Sequence, residues 1–320
     1  MKETFPLDPI KRLTEMEAIV QKNGKRAYYR FRPAPYYGGV STADAVGCSF
    51  LCPFCWNYSR NRDPGGSLEF YSPKDVAKKL LDIAGKNRFN RFRISGAEPI
   101  LGPNSLDHLV EVLRLVIIEM PNAVFIVETN GFLLGWKPEL ISKLRLRNIQ
   151  VRVSVKGVNE QSFEILSGVD RKYFYYPLIA LREMRKEGIE AWPALMNLYF
   201  TEDIIKKFEG FLENYGIHAH LEREQLEAYG FVLRNMNNRG LKVDGIKPKP
   251  RPEAFSRPQG NGGRDPRGAP RGGTRGRGTS RTRRSSPQGG RKSPGGTRGR
   301  TAGGNRPPQS RSGSGRTDKK

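Results

Sequence analysis

The sequence predicts an α/β fold, either a partial (βα)6 barrel or an open α/β sheet, followed by a disordered C-terminal tail. Three observations point there. Between residues 41 and 239, strand-like and helix-like segments alternate, and strict β-α alternation implies parallel strands joined by right-handed crossovers. Six such units fall short of the eight of a closed barrel. Apolar content then stops abruptly: after Ile246 there is no Leu, Ile, Val, Met, Tyr or Trp, and Phe255 is the sole aromatic.

Residues 1–40 are rich in Tyr, Arg and Pro, as in Tyr28-Tyr29-Arg30-Phe31-Arg32-Pro33. They read as an N-terminal extension that caps the fold or helps form a substrate surface. The core, 41–246, begins with a short strand at 41–47. Residues 73–84 have helical spacing, with Val76, Leu80, Leu81 and Ile83 apolar and Ser72 placed as N-cap. A strand at 91–95 and a helix at 105–119 follow. The run Ala-Val-Phe-Ile-Val-Glu makes 123–128 a strand. A short helix covers 137–144, and 149–155 alternates apolar and polar residues as strands do. A helix at 173–187, a strand at 189–196, a helix at 202–214, a short strand at 217–222 and a closing helix at 223–239 complete the core.

The chain carries 56 Lys and Arg against 32 Asp and Glu, a formal net charge of +24. Residues 247–320 hold 21 basic and 3 acidic residues, so +18 of that charge sits in the last 74 positions and only +6 in the body. The same segment has 17 Gly and 10 Pro. With almost nothing apolar to bury, it cannot offset the entropy of ordering its backbone and reads as disordered. Its Arg-Gly repeats, such as Arg275-Gly276-Arg277-Gly278, resemble segments that associate with RNA, since phosphate neutralisation by Arg needs no fold. The alternative is a solubilising extension with no specific partner. No run of about eighteen apolar residues is present to span a membrane, and the N-terminus lacks the apolar stretch of a signal peptide.

Cys48, Cys52 and Cys55 are the only cysteines, and they lie on one loop as C-x3-C-x2-C directly after the first core strand. An odd, clustered set excludes a disulfide scaffold and indicates a metal or redox site in a reducing cytoplasm. Three thiolates on a short loop can hold three irons of a 4Fe-4S cluster, leaving the fourth iron without a thiolate and open to a ligand. The alternatives are a zinc site completed by His108, His218 or His220, or cysteines that merely pack.

On these residues the chain resembles the radical S-adenosylmethionine (radical SAM) superfamily over about residues 41–222. The cysteine spacing, with the aromatic Phe54 before the last cysteine, is that superfamily's signature. Ser95-Gly96-Ala97-Glu98-Pro99 is similar to its Gly-Gly-Glu motif, with Ala97 in place of the second glycine. Glu128-Thr129-Asn130-Gly131 is similar to the segment beside the ribose. Ser154-Val155-Lys156-Gly157 matches the lysine of glycyl-radical activating enzymes but has Ser154 where they carry an acid. The resemblance implies the partial (βα)6 barrel, a 4Fe-4S cluster on Cys48, Cys52 and Cys55, and S-adenosylmethionine bound at the open iron. Phe54, Gly96, Ala97, Glu98, Glu128, Asn130, Ser154 and Lys156 would be the cofactor-binding residues. It implies reductive cleavage to a 5′-deoxyadenosyl radical that abstracts hydrogen from the substrate, with a flavodoxin- or ferredoxin-type electron donor. With no further cysteine for an auxiliary cluster, sulfur insertion and cysteine-dependent methyl transfer are not expected. Cys55-Trp56-Asn57 most resembles pyruvate formate-lyase activating enzymes, which implies a protein substrate. Wybutosine-forming tRNA enzymes also continue Cys-Trp, which implies RNA modification. A non-catalytic scaffold binding RNA through its tail is the reading outside enzymes.

Overall fold

The computed structural model describes residues 4–250, so the tail reading beyond that point lies outside the described residues. Helix α1 (Pro9–Val20) opens the chain under an Asp8 cap that accepts from the Ile10 and Lys11 amides. The short strand β1 (Gln21–Lys22) turns at Asn23-Gly24 into β2 (Lys25–Ala34), which pairs antiparallel with β3 (Val40–Ala45). The cysteine loop and the short helix α2 (Tyr58–Arg62) come next, then β4 (Phe70–Tyr71), a second antiparallel partner of β2. Residues 1–40 thus contribute strand β2 to the edge of the main sheet.

Helix α3 (Pro73–Asn87) starts at the expected Ser72, which forms a reciprocal capping box with Asp75. There follow β5 (Arg91–Ser95), α4 (Pro103–Glu119), β6 (Val124–Thr129), α5 (Phe132–Trp136) and β7 (Ile149–Val155). Next are α6 (Glu160–Ser167), α7 (Tyr175–Lys186), β8 (Glu190–Met196), α8 (Glu202–Asn214), β9 (Glu222–Glu224) and α9 (Gly230–Asn238). The predicted helix at 137–144 is a 3-10 turn, Pro138–Leu144.

Strands β3, β5, β6, β7, β8 and β9 are parallel and adjacent in chain order. That is the six-stranded partial barrel. Because the order never reverses, right-handed crossovers place the helices on one face of the sheet. The register then assigns each side chain. Phe92, Ile94, Phe125, Val127, Val151 and Val153 point to the helical layer and are buried. Thr42, Arg93, Ile126, Gln150 and Glu190 line up on the inner face, as do Asp44 and Ser95, and Glu128, Arg152 and Trp192.

Most bounds shift by one to three residues, and two elements differ by more. The last strand is Glu222–Glu224 rather than 217–222, and the closing helix is Gly230–Asn238 rather than 223–239. Ile217 and Leu221 are buried, but their burial is packing and not ladder pairing. Arg223 and Glu224 pair with Leu195 and Met196, which removes them from the helix. Lys249, inside the segment read as tail, donates its amide to Ala228 O and pairs with Glu227.

Candidate active site

Strand β3 delivers the chain to Gly47, whose φ of +88° suits a residue without Cβ, and then to Cys48. Turns bonded from Cys55 N to Cys52 O and from Tyr58 N to Cys55 O fold the loop and start α2. Cys52 is buried and Cys48 and Cys55 are half-buried. Burial pushes all three thiols above their ordinary value, Cys52 to about 12. Without a metal they are neutral thiols. A bound cation is what would make them thiolates.

Both ends of the described chain hold this loop. Arg12 of α1 donates from Nε to Cys48 O at 3.1 Å and from Nη2 to the Asn61 and Arg62 carbonyls. Arg239, just after α9, donates to Leu51 O and lies 3.4 Å from the Phe5 ring centroid. Two asparagines then tie the loop to the turn after β5. Asn57 Nδ2 and Asn61 Nδ2 donate to Gly96 O at 2.6 and 3.2 Å. Glu98 N donates to Gly47 O at 3.1 Å. The Gly96 φ of +82° is what lets that turn come within reach of Asp44 and Ala45.

Glu98 is 2 % exposed and closes the ring. Its carboxylate accepts from Thr129 Oγ1, Asn130 N and Ile100 N at 2.7, 2.7 and 3.1 Å. Burial raises it to about 7, although these donors and Arg26 favour the charged form. Asn130 donates back to Ser49 Oγ at 3.1 Å. The motif after β5 is therefore bonded through Glu98 to the end of β6, and β6 to the cysteine loop.

The donor set fits an iron–sulfur cluster. Three sulfurs share one loop, and N–H groups lie against two of them: Phe50 N at 3.4 Å from Cys48 Sγ, and Asn61 Nδ2 at 3.5 Å from Cys55 Sγ. Such contacts stabilise thiolates and tune a cluster. The buried oxygens Asn57 Oδ1 and Asn61 Oδ1 have no partner and can still accept a donor. Among the described residues no three His, Cys, Asp or Glu converge on one ion. A cubane does not ask for that, since it takes one thiolate per iron.

The expected site residues fall into two groups. Phe54 is buried beside the loop, and Lys156 Nζ stands 5.6 Å from its ring centroid. With Gly96, Ala97, Glu98 and Asn130 they surround the cysteines. Glu128 and Ser154 lie on the inner face instead. Glu128 accepts from Arg93 Nη1 at 2.8 Å and Tyr37 Oη at 2.9 Å, and Ser154 accepts from Arg152 at 3.3 Å. Burial works to raise the Glu128 carboxyl, but Arg93 and Arg152 outweigh it and hold it below its usual range. Two surface depressions contain none of these residues: one of about 480 Å³ at the β1–β2 turn and the starts of α3 and α4, and one of about 310 Å³ between α1 and the start of α4.

Sequence reasoning missed Arg12, Asn57, Asn61, Arg93 and Arg152. A signal was available for the last two, each a cation in the middle of a strand whose neighbours are apolar.

Comparison with known proteins gives a match of residues 44–212 to the model of the Radical SAM superfamily. A putative glycyl-radical enzyme activating enzyme of Methanocaldococcus jannaschii is 22% identical over 213 residues, covering 64% of this chain and 74% of that protein. GTP 3',8-cyclase of Crocosphaera subtropica is 26% identical over 121 residues, covering 38% of this chain and 34% of the cyclase. The chain thus spans about a third of the cyclase. Among solved structures, Streptococcus suis SuiB overlays with a TM-score of 0.43 at 17% identity, covering 62% of this chain and 44% of SuiB.

Proposed function

The chain belongs to the radical SAM superfamily, whose enzymes use a 4Fe-4S cluster and S-adenosylmethionine, and from that premise we propose that Cys48, Cys52 and Cys55 hold the cluster for hydrogen abstraction from a substrate at the strand ends. When bound, cluster and cofactor supply a one-electron reductive cleavage and the carbon radical that removes the hydrogen. The observation that carries the reading is the closed ring of bonds joining the cysteine loop, the Gly96 turn, Glu98 and Asn130.

In this reading the chain's own residues divide the work. Arg12 and Asn61 fix the loop, so that the sulfurs are placed before metal arrives. Gly96 and Ala97 keep the backbone after β5 bare enough for the methionine part of the cofactor. Phe54 and Lys156 wall the opposite side, Lys156 as a cation over the ring. Glu98 and Asn130 shape the wall through bonds already made, while Glu128 and Ser154 face the inner space. Reduction draws on a flavodoxin- or ferredoxin-type donor.

The finer reading is activation of a glycyl-radical protein, supported by the length shared with the Methanocaldococcus protein and by Lys156. The Arg-Gly composition of 247–320 supports RNA contact.

Anaerobic reconstitution of the full chain tests the assignment. It should yield about four irons and four sulfides per chain with broad absorbance near roughly 400 nm. Replacing any one of the three cysteines by Ala should remove the cluster, and reduced wild type should release 5′-deoxyadenosine. Stoichiometric zinc without iron, in protein handled without oxygen, refutes it.

A further inference from the structure

The inner face of the sheet carries far more charge than holding the cofactor requires, and its arginines are held in one orientation. Arg152, 7 % exposed, donates from Nε and Nη2 to the two oxygens of Glu222, both at 2.8 Å, and from Nη2 to Glu224 at 2.7 Å. Trp192 Nε1 also donates to Glu222, at 2.7 Å. Arg93, 5 % exposed, donates to Thr42 Oγ1 at 3.0 Å and to Glu128 at 2.8 Å, under the Tyr36 ring, whose centroid is 4.6 Å from its Cζ. Arg32 is fixed on Asp44 through Nε and Nη2.

Two of these guanidinium groups keep one nitrogen uncommitted. Arg93 Nη2 and Arg32 Nη1 have no partner among the described residues, and neither is among the sealed unpartnered atoms, so both reach solvent. Arg152 Nη1 has only Ser154 at 3.3 Å. Arginines locked on one edge by carboxylates and open on the other are preorganised receptors for an anionic group. Arg93 and Arg152 stand on the strands either side of β6, with Arg152 two residues further along the register, about 12 Å apart by strand spacing and rise. Along β7 and one residue past its end, the same side continues from Arg152 through Ser154 to Lys156, a rise of about 13 Å toward the cysteine loop.

We propose that Arg93 and Arg152 form a substrate anchor on the inner face that takes a carboxylate or phosphate group. The reacting end of the substrate then extends along β7 toward Lys156 and the cysteine loop. The proposal rests on the radical reading for what happens at that end, and on the inner face alone for the anchor.

Equilibrium binding of two probes, pyrophosphate and succinate, to the reconstituted full chain at physiological salt tests it by calorimetry. The stronger probe tells phosphate from carboxylate. Arg93→Gln should weaken it by about tenfold, and Arg93→Lys, which keeps charge but loses the fork, by less. Glu128→Gln should act in the opposite direction and tighten binding several-fold, because it removes the negative charge that competes for Arg93. A misfolded variant cannot produce that gain. The basic tail is the same in every variant, so the differences report the inner face. Binding unchanged within twofold in both Arg93→Gln and Glu128→Gln, or no binding of either probe, overturns the proposal. Deoxyadenosine release on the same samples separates the two readings: cleavage without anion binding refutes the anchor only, and anion binding without cleavage refutes the radical reading only.

Discussion

The two faces of the parallel sheet are built from residues one position apart, yet they do opposite work. Phe92 and Ile94 pack under helices, and Arg93 between them carries a buried charge. Val151 and Val153 do the same around Arg152. The outer face gains from being dry, through area removed from water. The inner face holds charges that are costly to bury and that survive only because each is paired. Alternation of apolar and polar residues therefore does not mean one core side and one solvent side here. It separates a packing face from a chemical one.

Phe125→Ala breaks the comparison on the packing side. The side chain is fully buried and stacks on Phe92, with ring centroids 6.2 Å apart. Loss of about 3–5 kcal/mol is expected from a cavity of that size, read as a lower urea midpoint. A cost under about 1 kcal/mol would mean the outer face repacks freely.

Arg152→Met tests the chemical side. It leaves Glu222 and Glu224 facing each other without their cation, and the expected loss at neutral pH is on the order of 2 kcal/mol. Solvent at the half-exposed Glu222 moderates it. The pH dependence has a definite sign. Burial opposes the Glu222 charge, but Arg152 lowers the carboxyl below its ordinary 4.5. The ion pair then contributes above that value and is lost as pH falls through the depressed range. Wild type and Arg152→Met should converge in stability in strong acid. A constant gap at every pH would assign the cost to packing instead.

Gly96→Ala probes the turn where the faces give way to loop. A Cβ there would lie 3.2 Å from Asp44 Cβ at a φ of +82°. About 1–2 kcal/mol of strain is expected, with weaker S-adenosylmethionine binding and an unchanged iron content. Loss of iron would show that the turn positions the sulfurs as well.

Much of the fold was legible. The strands at 91–95 and 149–155 and the helix at 202–214 have the bounds expected, because hydrophobic period, cap and breaker agree there. Helix α6 was not read, since eight residues after a glycine give too few turns for the period to show. Strand β2 was hidden because four successive residues, Tyr29, Arg30, Phe31 and Arg32, are half-buried on both sides. The cysteine loop announced itself by spacing. The partners of Glu98 and Glu128 did not. Asn130 and Arg93 come from neighbouring strands 32 and 35 residues away, and only strand register decides that they meet.

His108 gives the smallest effect, and it sharpens the contrast by showing how the packing side treats a titratable group. The ring lies on α4, 4 % exposed, beside Tyr28, with Nδ1 at 3.2 Å from Gly24 O and Nε2 sealed without a partner. Burial lowers it from 6.5 to about 4; the nearby Arg26 pushes the same way and the Gly24 carbonyl opposes. The unfolded chain takes up the proton as pH falls below 6.5, and the folded one does not until about 4. Stability from a neutral His108 is thus fully present above the first value and drains away as pH falls through the second. His108→Phe should be within about 1 kcal/mol of wild type at neutral pH, since one polar contact is exchanged for apolar packing. Its urea midpoint should then fall less steeply in acid. Parallel slopes between pH 7.5 and 4.5 would mean that the ring meets water in the folded state, and that the outer layer is less dry than its phenylalanines imply.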